Sequence, residues 1–80
     1  MLYTLHRLAS GSYDLLLDGK VIGGVVRETA CDHVVGWRAE LLDELPRARR
    51  PKPFTQVEHR FRTFREVVAW LGIAMHVGDS

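Results

Sequence analysis

Cys31-Asp32-His33 places a thiol, a carboxylate and an imidazole side by side, and these are the parts from which nucleophilic sites are built. Adjacency in sequence does not assemble them, because a catalytic cysteine takes its base and its orienting group from elsewhere in the fold. The plainer expectation is a polar loop, Glu28–His33, with a small thiol on it. Four histidines stand at 6, 33, 59 and 76, never in the close pairs that zinc sites use, and one cysteine does not complete a ligand set. Asp43-Glu44 is a lone acidic pair at a strand end, where solvation accounts for it. There is no GxSxG, no P-loop and no GxGxxG after a strand. With 80 residues there is also little room for a deep pocket. These features predict a protein that is not an enzyme and holds no cofactor and no metal.

The one segment with unusual chemistry is PRARRPKPF, residues 46–54. The net charge of the chain is +1, which hides a segregation. Residues 1–46 carry four cations against seven carboxylates, a net −3. Residues 47–65 carry seven cations, Arg47, Arg49, Arg50, Lys52, Arg60, Arg62 and Arg65, against Glu58 alone, a net +6. The remaining fifteen residues add −2 through Glu66 and Asp79. Solubility asks for interspersed charges rather than sorted ones. Six of the seven cations are arginine, whose planar fork suits carboxylates, phosphates and aromatic faces better than lysine's point charge does. Prolines stiffen the loop, so less entropy is lost when it binds.

The elements that must carry these residues are short. Asp18-Gly19 between two apolar runs is a hairpin signal, since a type I′ turn needs positive φ at both central positions. Strands are expected over about 13–17 and 20–27, preceded by one at 2–8 and joined through the turn residues 9–12. Gly23-Gly24 within the third strand predicts a bulge or a close backbone approach. In 34–41, Val35, Trp37, Ala39 and Leu41 alternate with Gly36, Arg38 and Glu40, which predicts a fourth strand. A helix over 37–45 competes with it, but Val34-Val35 and Pro46 favour the strand. The prolines at 46, 51 and 53 exclude regular structure for about ten residues. VEHRF at 57–61 reads as a last short strand, with Arg60 turned from the core and Arg62 following its parity.

The final element is a helix over 63–72. Thr63-x-x-Glu66 is a capping box, Phe64, Val67, Val68 and Leu71 form one stripe, and Gly72 suits the C-terminal cap. Trp37 is expected in the core. Trp70 lies off the stripe and is a candidate interface anchor, because tryptophan offers large contact area with few rotamers to freeze. The expected fold is therefore α+β: a small antiparallel sheet of four to five strands with one C-terminal helix packed on one face. One domain spans 1–80, with a short tail at 76–80. A single cysteine, and an N-terminus that reads as neither signal peptide nor membrane span, predict a cytoplasmic protein of a bacterial host with no membrane partner.

A β-meander closed by one helix, with a basic loop, resembles small nucleic-acid modules of the integrase arm-binding and double-stranded RNA-binding types. YDLLLDGKVIGGVVRE, GWRAELLDELPRARRPKPF and HRFRTFREVVAWLG also give the chain a likeness to small phage and mobile-element proteins of the anti-CRISPR inhibitor type. That resemblance implies a stoichiometric binder that blocks nucleic-acid engagement by a CRISPR effector complex. Many such inhibitors are acidic DNA mimics, and this chain departs from them by its basic segment, which implies direct docking through arginine. The expected contact residues are Arg47, Arg49, Arg50, Lys52, Arg60, Arg62, Arg65 and Trp70, facing an acidic protein surface. Two alternatives stay open: a nucleic-acid-binding regulator that uses the same cations on phosphates, and a homodimer formed through an unpaired sheet edge.

Overall fold

A computed structural model describes residues 2–73, so the tail expected at 76–80 and His76 lie outside the described residues. Five strands form one antiparallel sheet in chain order: β1 (Tyr3–Ala9), β2 (Ser12–Leu17), β3 (Lys20–Ala30), β4 (His33–Leu41) and β5 (Glu58–Phe61). Helix α1 (Phe64–Leu71) follows and packs on one face. The α+β architecture is thus the expected one, and residues 37–41 are strand rather than helix.

The turn between β2 and β3 has a local cause. Asp18 and Gly19 both have positive φ, 51° and 86°, as the type I′ hairpin requires. The expected loop over 28–33 is a correction: β3 runs on to Ala30 and β4 begins at His33, so only Cys31 and Asp32 form the connection. Their φ values, 50° and 63°, make this a second primed turn with no glycine in it. Aspartate tolerates the left-handed region comparatively well, whereas cysteine has no such preference, so no sequence signal marks the turn. The bulge expected at Gly23-Gly24 lies just before them: Leu15 pairs with Gly23 but Leu16 pairs with Val21, leaving Ile22 as the extra residue, while Gly23 itself meets the β4 backbone closely.

Alternation sorts the sheet into two faces. Tyr3, Leu5, Tyr13, Leu15, Val25, Trp37, Ala39, Leu41 and Phe61 face α1, which contributes Val67 and Leu71 to the same core. Leu15, Val25, Ala39 and Val67 are completely buried. The opposite face, which no second layer covers among the described residues, displays Thr4, His6, Asp14, Leu16, Val26, Glu28, Arg38, Glu40, Glu58 and Arg60. Trp37, expected in the core, is half-buried on the helix side, where its ring lies 4.8 Å from Phe64.

The helix is set by its caps. Thr63 Oγ1 accepts from the Glu66 N–H at 3.2 Å, and Glu66 Oε2 accepts from the Arg62 N–H at 3.2 Å, so two orphan donors are satisfied at the N-terminus. Gly72 closes the other end at φ 75°, and the Ile73 N–H reaches back to the Val68 carbonyl at 3.0 Å. Val67, Val68 and Leu71 of the expected stripe are buried and Phe64 is half-buried, stacked 4.9 Å from Tyr13.

Candidate binding surface

The basic segment leaves β4 at Leu41, whose N–H donates to the Val57 carbonyl at 2.9 Å, so both ends of the loop are joined at its base. Prolines prevent a ladder, and the chain instead makes a single 3₁₀ turn at Arg47–Arg49, with the Arg49 N–H donating to the Pro46 carbonyl at 2.8 Å. Phe54 then turns inward. It is 4% exposed, lies against Tyr3 and Trp70, and meets the Trp70 ring edge-on at 4.7 Å. The Tyr3 hydroxyl donates to the Lys52 carbonyl at 2.6 Å. The loop is therefore docked on the helix side of the sheet, held by an aromatic anchor and a hydrogen bond to β1.

Two further side chains tie the loop to itself. Arg50 donates from Nε to the Leu45 carbonyl at 3.0 Å and from Nη1 to the Thr55 carbonyl at 2.8 Å, bridging the two limbs of the loop. His59 Nε2 accepts from the backbone N–H groups of Thr55 and Gln56 at 3.1 and 3.2 Å. That geometry requires Nε2 without a proton, so the neutral ring carries its hydrogen on Nδ1. The ring also lies 4.7 Å from Trp70, and burial lowers the His59 pKa below its ordinary value.

The sign of this shift fixes a pH dependence. Below the ordinary histidine value of 6.5 the unfolded chain takes up the proton before the folded chain does. The contribution of His59 is thus full above that value, falls as the pH drops through it, and levels off once the folded ring is itself protonated. Melting curves between neutral and mildly acidic pH are expected to show this decline. In His59→Phe, which keeps the ring against Trp70 but not the acceptor, stability at neutral pH is lower and the decline shallower. An unchanged pH profile in that variant would remove His59 as its source.

The seven expected cations do not form one ridge. Arg50 is engaged by its own loop. Arg60 points from the core as expected and is 67% exposed, but it belongs to the open sheet face. There Arg60 Nε lies 3.3 Å from Glu58 and 3.6 Å from Glu28. Beside it, Arg38 lies 3.7 Å from Glu40, 3.7 Å from Glu58 and 3.8 Å from Glu28. Four carboxylates, Asp14, Glu28, Glu40 and Glu58, against two arginines, Arg38 and Arg60, make that face acidic, a net −2. Ion pairs on a solvent-facing sheet surface add little stability, but they leave Arg60 with its charge already answered.

Arg47, Arg49, Lys52, Arg62 and Arg65 are exposed, and none forms an ion pair among the described residues. Register adds two arginines outside the basic segment. Arg7 pairs with Tyr13 and Arg27 pairs with Trp37, which places both on the helix side. Arg27 Nη2 donates to Ser10 Oγ at 3.3 Å. The alternation of Arg27 with Val25 was the available signal for this, and a count of charge along the chain does not register it. Trp70 is half-buried, with Phe54, Phe61 and His59 against it, so it joins helix, loop and β5 rather than standing free.

Among the described residues no group of three or more His, Cys, Asp or Glu side chains converges as metal ligands would, and Cys31 is exposed at its turn. No described helix is long and apolar enough to cross a membrane. No family model matches the chain, and no curated protein or solved structure is significantly similar to it.

Proposed function

We propose that the protein is a non-enzymatic binding protein whose contact surface is the group of exposed cations carried by the loop and by the chain entering α1. Arg47, Arg49 and Lys52 supply it from the loop, and Arg62 and Arg65 from the start of α1. One observation carries this reading: among the described residues these side chains are exposed without a carboxylate partner, while the arginines of the open face sit among glutamates. Guanidinium groups free in this way form charge-assisted, bidentate bonds to carboxylates. The loop that presents them is held by Phe54, Tyr3, Arg50 and His59, so little ordering is left for the partner to impose. The partner is an acidic protein surface. A phage-type inhibitor docked on a subunit of a CRISPR effector, where it would block nucleic-acid engagement, is the case the sequence resemblance suggests.

The test is Arg47→Ala/Arg49→Ala/Lys52→Ala in a pull-down and binding titration against a CRISPR effector complex. Arg50 is left intact because its guanidinium holds the loop together. The triple variant is expected to bind more than about tenfold more weakly, as the loss of several charge-assisted contacts requires, with its melting temperature nearly unchanged. Full binding by the variant would overturn the reading. The excess of arginine over lysine favours a second reading, direct binding to nucleic-acid phosphates. That reading expects a mobility shift whose affinity falls with salt at a log–log slope of about −0.9 per phosphate contact on duplex DNA.

A further inference from the structure

The sheet is open at both ends, and the two edges differ. β5 is four residues long, carries Glu58 and Arg60, and follows a proline-rich loop, all of which discourage pairing with another strand. β1 is seven residues long, contains no proline and no lysine, and has Arg7 as its only formal charge. Leu2 and Leu8, at its two ends, are 66% and 58% exposed. Among the described residues the devices that shield this edge, Arg7 and the irregularity between Arg7 and Ala9, sit at its C-terminal end, so the stretch before them keeps its outward backbone groups available.

The hydrogen bonding of β1 determines which groups are free. The Leu2 carbonyl accepts from the Asp18 N–H at 2.8 Å, so Leu2 faces β2, and by alternation Thr4 and His6 do as well. The N–H and C=O groups of Tyr3, Leu5 and Arg7 therefore point along the outer edge. The register shift against β2 falls between Arg7 and Ala9, which leaves Tyr3–Arg7 as the regular stretch.

We propose that two copies of this chain associate through β1, antiparallel about a two-fold axis at Leu5, to continue the sheet across the seam. Only that centre pairs the whole regular stretch with itself: Leu5 meets Leu5, Tyr3 meets Arg7 and Thr4 meets His6. Each outward N–H and C=O finds its mate, because residues opposite one another in an antiparallel pair share the same hydrogen-bonding character. On the helix side Arg7 comes to lie across from Tyr3 of the other copy, and along the paired strands no like charges face each other. Leu2 of one copy meets Leu8 of the other at both ends, which covers the two exposed leucines. A two-fold interface must be self-complementary, and this strand is.

The test is the molar mass of the full chain in solution, by sedimentation or light scattering over a concentration series. Wild type is expected to approach the mass of two chains. Leu2→Lys/Leu8→Lys sets like charges against each other at both ends of the seam and is expected to return to one chain with its circular dichroism and melting curve retained. Leu2→Lys/Leu8→Glu sets opposite charges there and is expected to keep the dimer, more weakly at high salt. A monomeric wild type would overturn the proposal, as would a Lys/Lys variant that stays dimeric. Loss of the dimer in both variants would overturn the register centred on Leu5. None of these substitutions touches the basic loop, so a failure here leaves the proposed binding function standing.

Discussion

Phe54→Ala is expected to destabilise the protein by about 3–5 kcal/mol, the range for deleting a fully buried aromatic ring. Small single domains of this size have total stabilities near the low end of roughly 5–15 kcal/mol, so the variant should be largely unfolded at moderate temperature. The ring is 4% exposed and joins three parts of the molecule: β1 through Tyr3, α1 through Trp70, and the basic loop to which it belongs. Urea denaturation at neutral pH measures the loss, and Phe54→Leu, which refills most of the volume, is expected to recover much of it. A loss below about 1 kcal/mol in the alanine variant would mean that the loop is not docked as described. The outcome separates two properties of the segment. Truncating Arg47, Arg49 and Lys52 is expected to change binding without changing stability, whereas truncating Phe54 changes both.

Gly23→Ala is the second large effect, with an expected loss of about 3 kcal/mol or more. A Cβ at Gly23 would stand 2.0 Å from the Glu40 carbonyl oxygen and 3.2 Å from the Leu41 Cα, both backbone atoms of the neighbouring strand. No rotamer change relieves such a contact, so β3 and β4 would have to part in the middle of the sheet, beside the bulge at Ile22. Gly24→Ala is the matched control. Its Cβ would meet the Tyr13 carbonyl oxygen at 3.4 Å, an ordinary contact, and it is expected to cost less than about 1 kcal/mol. Thermal melts of the two variants compare them directly. Similar melting temperatures would show that the clash at Gly23 is absorbed by small shifts.

The charge arrangement follows from the same sheet. Glu28, Arg38, Glu40, Glu58 and Arg60 are spread over more than thirty positions of the chain, yet register brings them onto one face. Once Arg60 sits among those glutamates and Arg50 is bonded to Leu45 and Thr55, the basic segment divides into cations that hold the fold and cations left to the solvent. Arg7 and Arg27 join the second group in position, from strands whose sequence neighbourhood is net acidic.

Several elements were legible in the residues alone because their causes are local. Asp18-Gly19 specifies its turn through φ at two adjacent positions, Thr63 and Glu66 cap a helix within one turn, and alternation over 34–41 requires only period two. The glycine pair marked the close approach of β4 at Gly23 and an irregularity beside it, although the extra residue is Ile22. The turn at Cys31-Asp32 was not, since Cys31 gives no signal for the left-handed region and Asp32 alone does not specify a two-residue turn. The inward turn of Phe54 and the two backbone donors on His59 were not legible either, because each depends on a neighbour brought close by the loop's path over Tyr3 and Trp70. The sequence by itself determined the order of strands and helix, their caps, and the presence of an arginine excess between 47 and 65. Which arginines are without an ion pair among the described residues depends on how the strands are aligned. A propensity is a property of a few consecutive residues, whereas a partner for a charge is a property of register between strands far apart in the chain.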